Sequence, residues 1–92
     1  MNSGFEMKIY FSEKARDDFS GMDKQTRKIF WAHINKFSSI PPRKHLRFGI
    51  PFFVEKVGKQ GRVVFSFDKD ELIVIRCFTT HKQYEKWYNS FR

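Results

Sequence analysis

Two groups of side chains in this 92-residue sequence have the chemistry to act on a phosphate. Arg62 opens a run of β-branched and aromatic residues, so its guanidinium would project from a strand as a planar fork of donors. Arg76 stands near the end of a later run and is followed by His81, whose imidazole can transfer protons near neutral pH. Tyr84, three residues further on, would share a helical face with His81. Its ring could stack on a base, or simply pack beneath a terminal helix.

Positive charge is concentrated in two parts of the chain. The net charge is +8, and the segments 43–62 and 76–92 carry +5 and +3 of it, while the other 55 residues balance. Before the first strand of the second half stands a basic cluster of Arg43, Lys44, His45 and Arg47. Charge confined in this way indicates a patch for a polyanion, although a solvated basic face is the simpler alternative.

Several other kinds of site are not supported by the sequence. None of the three histidines has a partner at metal-ligand spacing, so we predict neither a metal nor another cofactor. The single cysteine, Cys77, cannot form an internal disulfide, and strict alternation would bury it beside Ile73 and Ile75. No apolar run approaches the roughly 20 residues of a membrane span, and a reducing cytoplasm is the expected compartment.

The first half of the chain is predicted to contain one strand and two helices. Lys8–Phe11 is a short β-prone run, and Ser12 is a good N-cap for the segment that follows. Asp23 caps a longer helix over residues 24–37, which Pro41 and Pro42 follow. The apolar faces of the two helices consist of Phe11, Ala15, Phe19 and Met22, and of Ile29, Phe30, His33, Ile34 and Phe37.

The second half changes to the period of strands. Three runs are predicted as strands: Ile50–Val57, Arg62–Phe67 and Leu72–Phe78. Short polar turns join them, which is typical of an antiparallel meander. In the middle run, Val63, Phe65 and Phe67 point one way and Arg62 the other. Thr79 or Thr80 would cap a final helix over residues 81–91.

These elements predict a single small α+β domain with the order β-α-α-β-β-β-α. The length suffices for one hydrophobic core, which twelve Phe, three Tyr and two Trp would fill. We expect residues 7–92 to form the domain. Residues 1–6 lack any periodicity and are expected to be a flexible extension or an expression remnant.

Four segments in this order resemble the RelE/ParE superfamily of toxins from toxin–antitoxin systems, and specifically its ribosome-dependent messenger-RNA endonucleases. The segments are KIYFSEKARDDF, RKHLRFGIPFFVEKV, GRVVFSFDKDELIVIRCF and THKQYEKW, and the resemblance extends over residues 7–88. It implies a twisted antiparallel sheet with the N-terminal helical hairpin packed on one face. The other face would be basic and concave, and would hold messenger RNA in the ribosomal A site.

The resemblance also assigns roles to residues. Arg62 matches the strand arginine of the family, and Lys56 falls where several members carry another. His81 and Tyr84 match a C-terminal His or Arg followed by Tyr, although some members use a Tyr further along, where Trp87 or Tyr88 stands here. The implied catalytic residues are therefore Arg62, His81, Tyr84 and Lys56. The resemblance implies RNA binding by the basic cluster of Arg43, Lys44, His45 and Arg47. Arg76 and Lys82 are predicted to bind RNA because they belong to the C-terminal basic segment.

Metal-independent cleavage would use the RNA 2′-hydroxyl as nucleophile. Arg62, helped by Lys56 and by Arg43 or Lys44, would neutralise charge on the phosphoryl oxygens. His81 would transfer protons, with His45 as the alternative. Glu55 is the only acid in the central basic segment and faces away from Lys56 on strict alternation, so the general base is not identified if it is not a histidine. The sequence suggests no carboxylate pair for this role.

The expected partners are messenger RNA in the ribosomal A site and a cognate acidic antitoxin, with which the chain would form a hetero-oligomer; no membrane partner is expected. One alternative is a ParE-like inhibitor of DNA gyrase without nuclease activity. His81 and the basic cluster at 43–47 argue against it, because that branch generally lacks them. A non-catalytic nucleic-acid-binding domain, or a toxin that has lost activity, is the other alternative.

Overall fold

The computed structural model describes residues 7–39 and 52–90, and within these ranges it contains a four-stranded sheet and three helices. The elements are β1 (Lys8–Phe11), α1 (Glu13–Ser20), α2 (Lys24–Phe37), β2 (Phe53–Val57), β3 (Gly61–Asp68), β4 (Glu71–Phe78) and α3 (His81–Asn89). This order confirms the predicted α+β fold class. Three predictions lie outside the described residues: the start of the β2 strand at residues 50–51, the N-terminal extension, and the end of the last helix at residue 91.

The three helices begin at the polar residues that the sequence indicates. Ser12 accepts a hydrogen bond from the Ala15 N–H at 3.0 Å, and Asp23 accepts one from Thr26 at 2.8 Å. Of the two candidate caps for α3, Thr80 performs the role. Each cap satisfies a backbone donor that the first turn of a helix leaves without a partner.

The sheet has the strand order β1-β4-β3-β2. The antiparallel meander β2-β3-β4 is confirmed, whereas β1 lies parallel to β4, so the sheet is mixed rather than wholly antiparallel. A four-residue strand carries no sequence signal for its direction. Ile9 and Phe11 of β1 pack against the core.

The main core lies between one face of the sheet and the pair α1 and α2. Its helical members include Ala15, Met22, Phe30 and Ile34, and its strand members include Val63, Phe65, Leu72 and Val74. The predicted facing of Val63 and Phe65 is therefore confirmed. The prediction for Ile29 was wrong, because its side chain is 46% exposed at the margin of the apolar stripe of α2.

Alternation fails in β4, where the predicted grouping of Cys77 with Ile73 and Ile75 was wrong. Val64 pairs with Arg76 and Phe65 pairs with Val74, so Ile75 is an extra residue in a β-bulge. The bulge resets the facing of the strand. Cys77 is buried in the main core with Val74, while Ile75 packs against the cluster on the opposite face.

The opposite face of the sheet is covered in part by α3. Val64, Phe78 and Tyr84 are buried there, and Trp87 and Tyr88 of α3 pack against them. The basic residues that project from this face therefore lie beside α3 rather than on an uncovered sheet. None of the helices in the described ranges is long and apolar enough to cross a membrane.

Candidate nucleic-acid interface

Arg62 stands at the beginning of β3, between the β2–β3 turn and α3. Its guanidinium donates hydrogen bonds to the carbonyl oxygens of Gly61 at 2.8 Å and Lys59 at 3.3 Å. Its Cζ atom also lies 5.8 Å from the centre of the Tyr84 ring, within the range of a cation–π contact. The side chain is half-buried, so its position is restricted while part of its donor fork remains accessible to a ligand.

Lys56 of β2 is the direct cross-strand partner of Arg62. Side chains of directly opposed residues project from the same face of a sheet, and like charges in this position destabilise the pair. Lys56 is exposed, and its neighbour Glu55 faces the other way, with its carboxylate 3.5 Å from Nδ1 of His33. No carboxylate of residues 7–39 and 52–90 forms an ion pair with either cation, so the pair is a favourable place for an anion.

His81 is the first residue of α3 and is fastened to the β2–β3 turn. Its backbone N–H donates to the side-chain oxygen of Gln60 at 3.2 Å. On the imidazole, Nδ1 lies 3.9 Å from a carboxylate oxygen of Glu85, one turn further along α3. The side chain is 42% exposed, and Nε2 has no hydrogen-bond partner among residues 7–39 and 52–90. This nitrogen is therefore available for proton transfer to or from a ligand.

Tyr84 is 5% exposed and packs within the aromatic cluster beneath α3. Its ring lies 6.1 Å from that of Phe78 and 6.0 Å from that of Tyr88, measured between centroids. In this position a base could reach the ring only after a displacement of α3. The predicted stacking of a nucleotide on Tyr84 stays a prediction, while the structure gives the ring a role in packing and in the contact with Arg62.

Arg76 is held by an acid that the sequence did not reveal. Asp18 of α1 accepts from Arg76 Nε at 2.7 Å and from Nη2 at 3.1 Å, and it also accepts from the Cys77 N–H at 3.0 Å. The hydrogen bonds between Arg76 and Asp18 raise the pKa of the Arg76 guanidinium above its usual range. The guanidinium also lies over the Phe78 ring at 4.8 Å. Lys82, the remaining predicted RNA-binding residue in the described ranges, is exposed on α3.

Four predicted RNA-binding residues, Arg43, Lys44, His45 and Arg47, lie outside the described residues. Their assignment stays a prediction. In the ranges that the structure does describe, no group of three or more His, Cys, Asp or Glu side chains could hold a metal ion.

The structure adds three residues that sequence reasoning missed: Asp18, Gln60 and Glu85. Glu85 is four residues from His81 on a predicted helix, so the spacing alone could have indicated this pair. The contacts of Asp18 with Arg76 and of Gln60 with His81 join residues 58 and 21 positions apart. No local pattern indicates pairs at such separations.

Solved structures of toxin–antitoxin complexes share this architecture. A chain in the RelBE2 complex of Mycobacterium tuberculosis superposes with a TM-score of 0.72 at 17% identity, covering 88% of this chain and 99% of that chain. A chain of the intact Escherichia coli RelBE complex gives a TM-score of 0.69 at 16% identity, covering 80% and 96%. This protein has the RelE-like toxin fold.

A chain of the heterotetrameric YoeB–YefM complex of Staphylococcus aureus has the same RelE-like fold, with a TM-score of 0.59 at 16% identity and coverage of 77% and 93%. Neither a protein-family model nor a curated protein matches the sequence. The resemblance inferred from the four sequence segments is therefore confirmed at the level of the fold.

Proposed function

We propose that this RelE-like protein is the toxin of a toxin–antitoxin pair and that it cleaves messenger RNA on the ribosome in the cytoplasm. The observation that carries the proposal is the cross-strand pair of Lys56 and Arg62, with His81 fastened to the adjacent turn through Gln60. A phosphodiester would relieve the repulsion between the two cations. The same phosphate would lie beside an imidazole that can move protons.

The proposed reaction breaks one phosphodiester without a metal. The 2′-oxygen of one nucleotide attacks the adjacent phosphorus as its proton passes to a base, and the bond to the 5′-oxygen breaks as that oxygen gains a proton. The products are a 2′,3′-cyclic phosphate and a 5′-hydroxyl. Arg62 and Lys56 would stabilise the charge that grows on the phosphoryl oxygens, which is usually the largest contribution to such catalysis.

His81 would carry out proton transfer through Nε2. Its Nδ1 lies 3.9 Å from a carboxylate oxygen of Glu85, which is beyond hydrogen-bond distance. General acid–base catalysis of this kind commonly contributes about 10²–10⁴-fold. The ribosome would supply much of the alignment of the RNA.

The proposed protein partner is an acidic antitoxin that forms a hetero-oligomer with this chain and silences it. Support comes from the similar structures, which are described as toxin–antitoxin complexes. Further support comes from the net charge of +8, which an acidic partner would complement.

A translating extract with purified protein tests this function. We expect messages to be cut only while they are translated, with cut sites in register with codons, and we expect the Arg62→Ala, His81→Ala double variant to leave them intact. Undiminished cutting by that variant would contradict the residue assignment. Inhibition of DNA supercoiling in a gyrase assay without any RNA cleavage would overturn the function itself.

A further inference from the structure

A basic cleft lies on the opposite side of α3 from the Lys56–Arg62 pair. It has a volume of about 320 Å³, and Asp18, Arg76, Phe78, Lys86 and Trp87 are among the residues that line it. The mechanism above makes no use of Lys86. Pockets in this range of size begin to accommodate small ligands or single groups of larger ones.

Arg76 is fixed in this cleft on several sides. Asp18 holds Nε and Nη2 at 2.7 and 3.1 Å, and the Phe78 ring lies 4.8 Å from Cζ. The remaining nitrogen, Nη1, has no partner among the described residues. A guanidinium held in one orientation presents its remaining donors without a large loss of conformational freedom on binding.

The charges of the cleft favour an anionic ligand. Asp18 neutralises one positive charge, so Arg76 and Lys86 together leave one uncompensated. The contact with Asp18 gives Arg76 a structural role, whereas Lys86 is exposed in the last turn of α3 and forms no ion pair with the described residues. Donors from two elements that converge on one cleft suit a phosphate, and the aromatic walls of Phe78 and Trp87 suit its attached sugar or base.

The cleft also lies close to the proposed reaction centre. Arg76 is two residues from Phe78 along β4, which is about 7 Å in a strand, and Phe78 is the cross-strand partner of Arg62. We propose that Arg76 and Lys86 bind a backbone phosphate of the RNA next to the scissile one, with Asp18 as the residue that positions Arg76. This assignment rests on the proposed function and extends its RNA path across α3.

Salt-dependent RNA binding by the full chain tests the role of Lys86. The probe is a fluorescent single-stranded oligoribonucleotide with 2′-O-methyl groups throughout, which the proposed mechanism cannot cleave. For Lys86→Ala we expect the slope of log affinity against log salt to fall by about 0.7, the value for one lost single-strand phosphate contact. Lys24 is exposed on α2, and Lys24→Ala removes the same charge. This variant should retain the wild-type slope.

A second pair of variants tests the positioning role of Asp18. Asp17→Asn and Asp18→Asn change the net charge equally, and Asp17 is exposed on the same helix. The added positive charge alone should strengthen RNA binding slightly, as expected for Asp17→Asn. Asp18→Asn should instead bind RNA up to about tenfold more weakly, because Arg76 loses the carboxylate that holds its guanidinium in place. Circular dichroism melts would verify that both variants are folded at the assay temperature.

Equal slopes and affinities for Lys86→Ala and Lys24→Ala would overturn the assignment. Unchanged RNA binding by Lys86→Ala, together with weaker binding of a glutamate-rich peptide, would mean that the cleft takes a protein carboxylate, and it too would overturn the assignment. RNA binding that depends on Lys86 but is accompanied by no cleavage in a translating extract would contradict the nuclease function and support the cleft.

Discussion

Replacing Asp18 by alanine removes the acceptor that ties α1 to β4. In the structure this carboxylate is 17% exposed, and it serves both the Arg76 guanidinium and the backbone N–H of Cys77. β1 ends at Phe11, opposite Val74, so Asp18 covers the part of the β4 edge that β1 does not reach. The Asp18→Ala substitution would therefore leave a strand donor and a partly buried cation without their acceptor.

The expected loss of stability follows from these contacts. The Cys77 N–H loses its acceptor, which costs about 1–2 kcal/mol. The guanidinium of Arg76 is 24% exposed and can turn toward water, so the loss of its paired hydrogen bonds costs a similar 1–2 kcal/mol rather than the larger value of a fully buried pair. The sum, about 3 kcal/mol, is a large part of the stability of a small domain. It corresponds to a fall of about 12–24 °C in Tm.

Thermal and urea denaturation followed by circular dichroism would measure this effect, with Asp17→Ala as the control. Asp17 is exposed on the same helix, and its substitution should change the free energy of unfolding by less than about 0.5 kcal/mol. Equal unfolding midpoints for the two variants would refute the reasoning, since they would show that the contacts of Asp18 contribute nothing to stability.

Three further predictions concern β3 and β4. Arg62→Ala should abolish growth arrest on induced expression, and Arg62→Lys should restore only part of the arrest because lysine lacks the planar donor fork of the guanidinium. Full growth arrest by Arg62→Ala would count against a catalytic role. Gly61→Ala would place a Cβ atom 2.6 Å from the Val57 carbonyl oxygen and 3.0 Å from the Phe30 ring. Urea denaturation should therefore show that the free energy of unfolding falls by about 1–3 kcal/mol. An unchanged midpoint would contradict this packing. Burial, with a smaller effect of Asp18, raises the pKa of the Cys77 thiol to about 12. A thiol reagent at pH 8 should therefore label the native protein slowly and the urea-unfolded protein quickly. Rapid labelling of the native protein would contradict the burial of Cys77.

Much of the fold could be predicted because its signals are local. The N-caps Ser12 and Asp23 and the bounds of α2 follow from residues within a few positions of each other. The facing of β3 follows from strict alternation of Val63 and Phe65 with Arg62 and Val64. Signals of this kind depend only on the geometry of one helix or one strand.

The features that could not be predicted depend on distant contacts. The bulge at Ile75 reverses the facing of Cys77, and nothing in the run Leu72–Phe78 indicates it. The parallel pairing of β1 with β4 likewise joins residues about sixty positions apart. For the candidate site, the roles of Arg62 and His81 stay predictions, and the burial of Tyr84 depends on how α3 packs against the sheet.

Cleavage of a single modified message would test the central claim most directly. A translated messenger RNA would first be mapped for its cut site in an extract containing the purified protein. The same message would then be prepared with one 2′-O-methyl group on the nucleotide 5′ of the cut. We predict that the unmodified message is cut and carries a 2′,3′-cyclic phosphate, and that the modified message remains intact at that position. Equal cutting of both messages, or no cutting of either, would contradict the proposed function of the Lys56, Arg62 and His81 site.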